Sequence, residues 1–154
     1  MIIQRMSIHF WMPLLQWIKT MIKDIPELIV EDVALAIVKE ENELGETIWN
    51  SYLINFKKDK LQAVLVTSTG YGYVNEEKVN TSTLRHFLDE VAPSSFVKIE
   101  PIIEDVFGLN NEYWVSFFLH NNLYDKKFIF LAETILEENL IHIPVINKRG
   151  VMIR

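Results

Sequence analysis

Residues 113–131 read Tyr-Trp-Val-Ser-Phe-Phe-Leu-His-Asn-Asn-Leu-Tyr-Asp-Lys-Lys-Phe-Ile-Phe-Leu. Two runs rich in aromatic and β-branched residues, which favour a pleated, half-buried surface, flank Asn121-Asn122. Asparagine tolerates the left-handed backbone of a tight hairpin turn. The spacing predicts an antiparallel hairpin that opposes Leu119 to Tyr124, Val115 to Phe128 and Tyr113 to Phe130. One face, with Phe117, is apolar enough for a core. The other carries Trp114, Ser116, Phe118, His120, Asp125, Lys127 and Ile129, a mixture of charge and large aromatics that fits partial exposure.

Outward from this hairpin the period-two pattern continues. Val33, Leu35 and Ile37 alternate with smaller neighbours. Glu40 to Gly45 reads as a solvated acidic turn. Ile48, Tyr52, Ile54 and Phe56 then lie opposite Trp49 and Leu53, and Leu61, Ala63 and Leu65 opposite Val64 and Val66. Gly70-Tyr71-Gly72-Tyr73 interrupts the pattern as a bend. Thr81 to Val91 reads as a strand ending near Phe87, with a helix capped by Thr81 or Ser82 as the competitor. Phe96 to Ile103 is a strand that Pro101 places at an edge. Ala132 to Leu140 reads as a short helix, Ile141 to Ile146 as extended, and the basic, apolar end as a last strand on a sheet edge. Short strands broken by turn signals predict an antiparallel, all-β sandwich of seven or eight strands, immunoglobulin-like by pattern alone, with α+β as the alternative.

Length and composition agree. The 154 residues suit one domain. With no cysteine, disulfides, thiolate nucleophiles and thiolate metal sites are excluded. A net charge of −6 disfavours a long phosphate-tracking surface. Residues 1–24 form an apolar N-terminal extension before a single β-rich domain at 25–154. Phe10, Trp11, Leu14, Leu15, Trp17 and Ile18 are broken by His9, Pro13 and Gln16, so the stretch reads as neither a signal peptide nor a membrane span. It reads instead as a translation start at Met21 rather than Met1, a short helix after Pro13, or an interfacial membrane contact by residues 1–20. The expected location is cytoplasmic.

The segments Trp49 to Phe56, Thr81 to Phe87, Asp105 to Phe117, Tyr124 to Leu131 and Ile146 to Ile153 together resemble a small uncharacterised family of short proteins from flavobacteria and their relatives. The resemblance covers residues 25–154. No activity is established for that family, so the resemblance implies neither a substrate nor a catalytic residue.

Chemistry-bearing patterns are sparse. Ser82, His86 and Asp89 lie close in sequence, yet a strand puts Asp89 past the end of the face shared by the other two. Glu100, Glu104, Asp105 and Glu112 surround Phe107-Gly108 and read as a solvated loop rather than an oxygen-ligand cation site. Gly70-Tyr71-Gly72 lacks the remainder of either phosphate-loop motif. No catalytic, cofactor or metal residue is expected, and the chain is not expected to be an enzyme; a deep pocket lined by two or more titratable groups would reopen that reading. The favoured function is a non-catalytic protein-interaction module, or accessory subunit of a bacterial assembly, that meets a protein partner or a second copy through Trp114, Phe118, His120, Lys127 and Ile129. The alternative is a ribosome- or nucleic-acid-associated factor using Lys57, Lys58, Lys60, Arg149 and Arg154, with Tyr71 and Tyr73 as stacking surfaces.

Overall fold

Apolar runs with period two form ten strands in the computed structural model, which describes residues 28–154. In chain order they are β1 (Val33–Glu41), β2 (Thr47–Asn55), β3 (Leu61–Val74), β4 (Glu77–Asn80), β5 (Leu84–Val91), β6 (Ser95–Ile102), β7 (Asn110–Leu119), β8 (Asn122–Phe130), β9 (Ile141–Ile143) and β10 (Lys148–Ile153). All pairings are antiparallel. The first sheet has the order β6-β2-β1-β10-β9, and the second β4-β3-β7-β8 with β5 also on β3. Two antiparallel sheets packed face to face make an all-β sandwich. No helix among the described residues is long and apolar enough to cross a membrane. The calls on residues 1–24 lie outside the described residues.

The main core fills the space between the sheets. Leu35, Ile37 and Leu53 from the first sheet meet Val66, Val115, Phe117 and Phe128 from the second. The other face of the first sheet is buried too, with Ala34, Ala36, Val38, Tyr52 and Ile54 clustered with Ile143 and Ile146. That second cluster explains why 33–38 is an unbroken apolar run rather than a strict alternation. At one end of the sandwich the fully buried Asn55 donates to the carbonyls of Asp59, Val91 and Ala92. Its own side-chain carbonyl accepts from the amide of Lys57 at 2.9 Å. This clamp satisfies groups that would be costly to leave unpaired, and it ties β2 to the connection between β5 and β6.

The structure corrects several expectations. The hairpin turn is His120-Asn121, both with positive φ, so Leu119 opposes Asn122, Phe117 opposes Tyr124 and Tyr113 opposes Phe128. The register differs by two residues from the expected one. A shift of two preserves each side chain's face, so the inner and outer sets stand. Ala63 takes a left-handed φ of 47°, and the register of β3 shifts there against both neighbours. This bulge inverts the parity, so that Leu61, Val64 and Val66 are buried while Ala63 and Leu65 are exposed.

Thr81 to Val91 contributes strand β5, which runs on to Val91 instead of stopping near Phe87. Gly70 to Tyr73 lie inside the long strand β3 rather than at a bend. Only Glu137–Asn139 is helical in the tail, as a 3-10 turn. The last strand, β10, lies between β1 and β9 instead of at an edge. Glu40 belongs to β1 and is largely buried, accepting hydrogen bonds from Asn50, Tyr52 and Lys148.

Candidate functional site

The bulge at Ala63 decides what the second sheet shows to solvent. Beyond it, Leu65 stands beside Phe87 on one side and Ser116 on the other. Ser116 is flanked along β7 by Trp114 and Phe118, whose side chains share its face because they are two residues away. Exposures of 66% for Phe87, 45% for Trp114, 42% for Phe118 and 38% for Leu65 make this an apolar outer face spanning three strands. Leu123, paired with Phe118, extends it to β8. Exposed apolar groups are ordinary singly; here several lie together on one face.

Of the residues expected to form this site, Trp114, Phe118 and Lys127 converge. Lys127 pairs with Trp114 and holds its ammonium 4.6 Å from the ring centroid. Ile129 is half-buried in the next row, beside Glu112 and Thr69. His120 sits in the turn, with Nε2 3.4 Å from Asp59 Oδ2, at the rim of the face. Phe87, Leu65 and Leu123 escaped the sequence reading. The first lay in an ambiguous segment, and the second was given the wrong parity. Only the bulge reveals Leu65, and nothing in the sequence marks a bulge at an alanine. Leu123 lies on the outer face in the expected register as well as in the observed one.

The other candidates disperse. His86 Nε2 lies 2.8 Å from Glu100 Oε2, while Asp89 has a left-handed φ at an irregular register position. Ser82, His86 and Asp89 therefore do not form a relay. Glu104 accepts a hydrogen bond from Trp49 Nε1 at 3.0 Å, and Glu112 belongs to the outer face, so the acidic group is not a cluster. No group of His, Asp and Glu among the described residues has the arrangement of a metal site. Several of the basic residues lie near acids: Arg154 lies 2.7 Å from Asp32, whose carboxyl also feels the charge of Lys57, Lys60 lies 3.4 Å from Glu90, and Arg149 lies 3.6 Å from Glu137, whereas Lys58 is exposed. Tyr71 lies ten residues along β3 from Leu61, about 30 Å away at strand rise, too far to stack beside the Lys57–Lys60 turn.

A cleft opens at the lateral edge where β5 and β6 diverge. It encloses about 350 Å³. The chain leading into β5 and its first residue form one wall, with Thr81 and Leu84; the end of β6 forms the other, with Glu100 and Ile102. Thr81 is fastened to the floor by two bonds, its amide donating to the Gly70 carbonyl and its hydroxyl accepting from the Gly70 amide. Tyr113 lines the floor, and burial pushes its phenol pKa up; the Glu100 carboxylate adds to that rise against an opposing contribution from Ser51.

No protein-family model and no curated protein matches the chain. Among the described residues no serine or threonine hydroxyl hydrogen-bonds to His86, whose bond to Glu100 ties the two cleft walls together. The cleft holds two titratable groups, Glu100 and Tyr113.

Proposed function

We propose that this protein is a non-catalytic protein-interaction module whose contact surface is the outer face of the second sheet. One observation carries the reading: Phe87 and Leu65 pair across β5 and β3, Trp114 and Phe118 flank the end of that row on β7, and all are exposed. Desolvating such aromatics stabilises association, and Trp is among the residues enriched in binding hot spots. A flat sheet face suits another flat face.

The occupant that fits best is a second copy of the chain. The face carries both signs of charge, Arg85 and Lys127 in the row through Trp114, and Asp125 and Glu112 in the flanking rows. In a two-fold pairing a surface meets itself, so interleaved signs allow each cation to meet an acid of the other copy. A face of one sign would repel itself.

Native mass spectrometry and sedimentation velocity test this. The wild-type chain should dimerise with rising concentration, and Trp114→Ser with Phe118→Ser should be monomeric with unchanged circular dichroism. A wild-type chain that stays monomeric at the highest accessible concentration overturns the second-copy reading, as does a double variant that still dimerises.

A further inference from the structure

We infer that the cleft between β5 and β6 is a binding site for an ammonium group on a short apolar stem, supplied by a small amine or by a lysine side chain. The inference is independent of the aromatic face. Two polar side chains in the cleft are nearly buried, Ser68 and Asn111, each 6% exposed. Asn111 donates both amide hydrogens to backbone carbonyls, of Val106 at 2.9 Å and of Leu109 at 3.1 Å. That fixes the orientation of the amide and leaves Oδ1 as an acceptor with no partner among the described residues. The Ser68 hydroxyl likewise has none. Since no side-chain polar atom of the described residues is both sealed from solvent and unpaired, these two reach the space of the cleft they line. Each is therefore open to a partner that enters the cleft.

The character of that partner follows from what the cleft offers. Glu100 presents a carboxylate whose Oε2 is engaged by His86 and which the Tyr113 phenol also meets, and Asn111 Oδ1 and Ser68 Oγ add acceptors. No lysine or arginine lines the cleft. An acceptor-rich, negatively charged site selects a cationic donor, and an ammonium brings three hydrogens. Around these groups lie Leu84, Ile102, Ile103 and Val106, which suit an alkyl stem and not a hydrated metal ion. The volume lies at the small end of the range for ligand sites.

The probe is n-butylammonium, titrated against the full-length chain by amide NMR, with n-butanol as the uncharged control. Saturable shifts centred on Ser68, Thr81 and Asn111 are expected from the amine and not from the alcohol. Glu100→Gln should weaken the amine by about tenfold or more, since a hydrogen bond to a charged group is lost. Leu84→Trp, at an exposed cleft wall that tolerates bulk, should block it without touching the acid. The Trp114→Ser/Phe118→Ser variant should bind as the wild type does. An Nα-acetyl-lysine amide that competes at the same amides assigns the site to polypeptide lysine; failure to compete assigns it to free amines. Absence of saturable shifts, equal binding of butanol, or indifference to both cleft variants overturns the inference and leaves the two polar side chains to water.

Discussion

Lys127 on β8 lies over the indole of Trp114 on β7, 4.6 Å from the ring centroid, on the solvent side of the second sheet. Such a contact contributes about 0.5–1 kcal/mol at an exposed site, enough to order the ring but too little to hold a fold. Trp114→Ser with Phe118→Ser should therefore change the unfolding free energy by less than about 1 kcal/mol. Phe117→Ala, on the inner face of the same strand and fully buried, should cost about 3–5 kcal/mol. Urea unfolding followed by circular dichroism compares the two. Equal losses would mean that the outer aromatics support the sandwich, contrary to a docking role.

Ala63 is left-handed inside a strand, a conformation that costs a residue with a Cβ about 1–2 kcal/mol. Ala63→Gly should remove much of that cost and stabilise the protein by roughly 1 kcal/mol, although the freer glycine chain offsets part of it. Ala63→Val should destabilise, since a β-branched side chain tolerates positive φ worst. Denaturant midpoints of the two variants should fall on opposite sides of the wild type. A loss for both would show that the bulge rests on packing of the alanine methyl.

The same bulge marks where sequence reading stops. Strands β1, β2, β7 and β8 were legible because their alternation is long and their inner residues are large, so one face had to be buried. The hairpin faces survived a two-residue error in the turn because side-chain direction repeats every two residues. Parity along β3 was not legible, since Ala63 carries none of the usual signals of positive φ. Glu40 was read as a solvated turn residue because acids seldom lie inside; its partners Asn50, Tyr52 and Lys148 come from 10, 12 and 108 residues away. The cleft was invisible for a similar reason. Ser68, Glu100 and Asn111 meet only after both sheets have formed.

Gly150 on β10 lies opposite Val38, and a Cβ there would sit 2.4 Å from the carbonyl oxygen of Ile37. Backbone cannot yield as a side chain does. Gly150→Ala should thus part β1 from β10 and cost at least about 1–3 kcal/mol. Gly108 is the control, because a methyl added there meets nothing within 4 Å. Gly108→Ala should be neutral or stabilise by up to about 1 kcal/mol. Thermal unfolding separates the variants, and an unaltered melting temperature for Gly150→Ala would contradict the close pairing of β1 with β10.

Glu40 gives stability a dependence on pH whose sign can be worked out. Burial alone pushes its carboxyl pKa up, but hydrogen bonds from Lys148, Asn50 and Tyr52, together with the Lys148 charge, outweigh it and hold the group below its ordinary 4.5. The unfolded chain then binds the proton more tightly than the folded one. The contribution of Glu40 is complete above 4.5 and disappears as pH falls through the lower folded value. Glu40→Gln keeps the shape of the side chain but has no charge to lose. Its destabilisation relative to wild type should be largest near neutral pH and should shrink as both proteins are acidified below about pH 4. Urea midpoints measured from about pH 7 to about pH 3 give that difference directly. A gap that stays constant over this range would mean that the amide disturbs packing, and that the carboxylate charge does not stabilise the pairing of β1, β2 and β10.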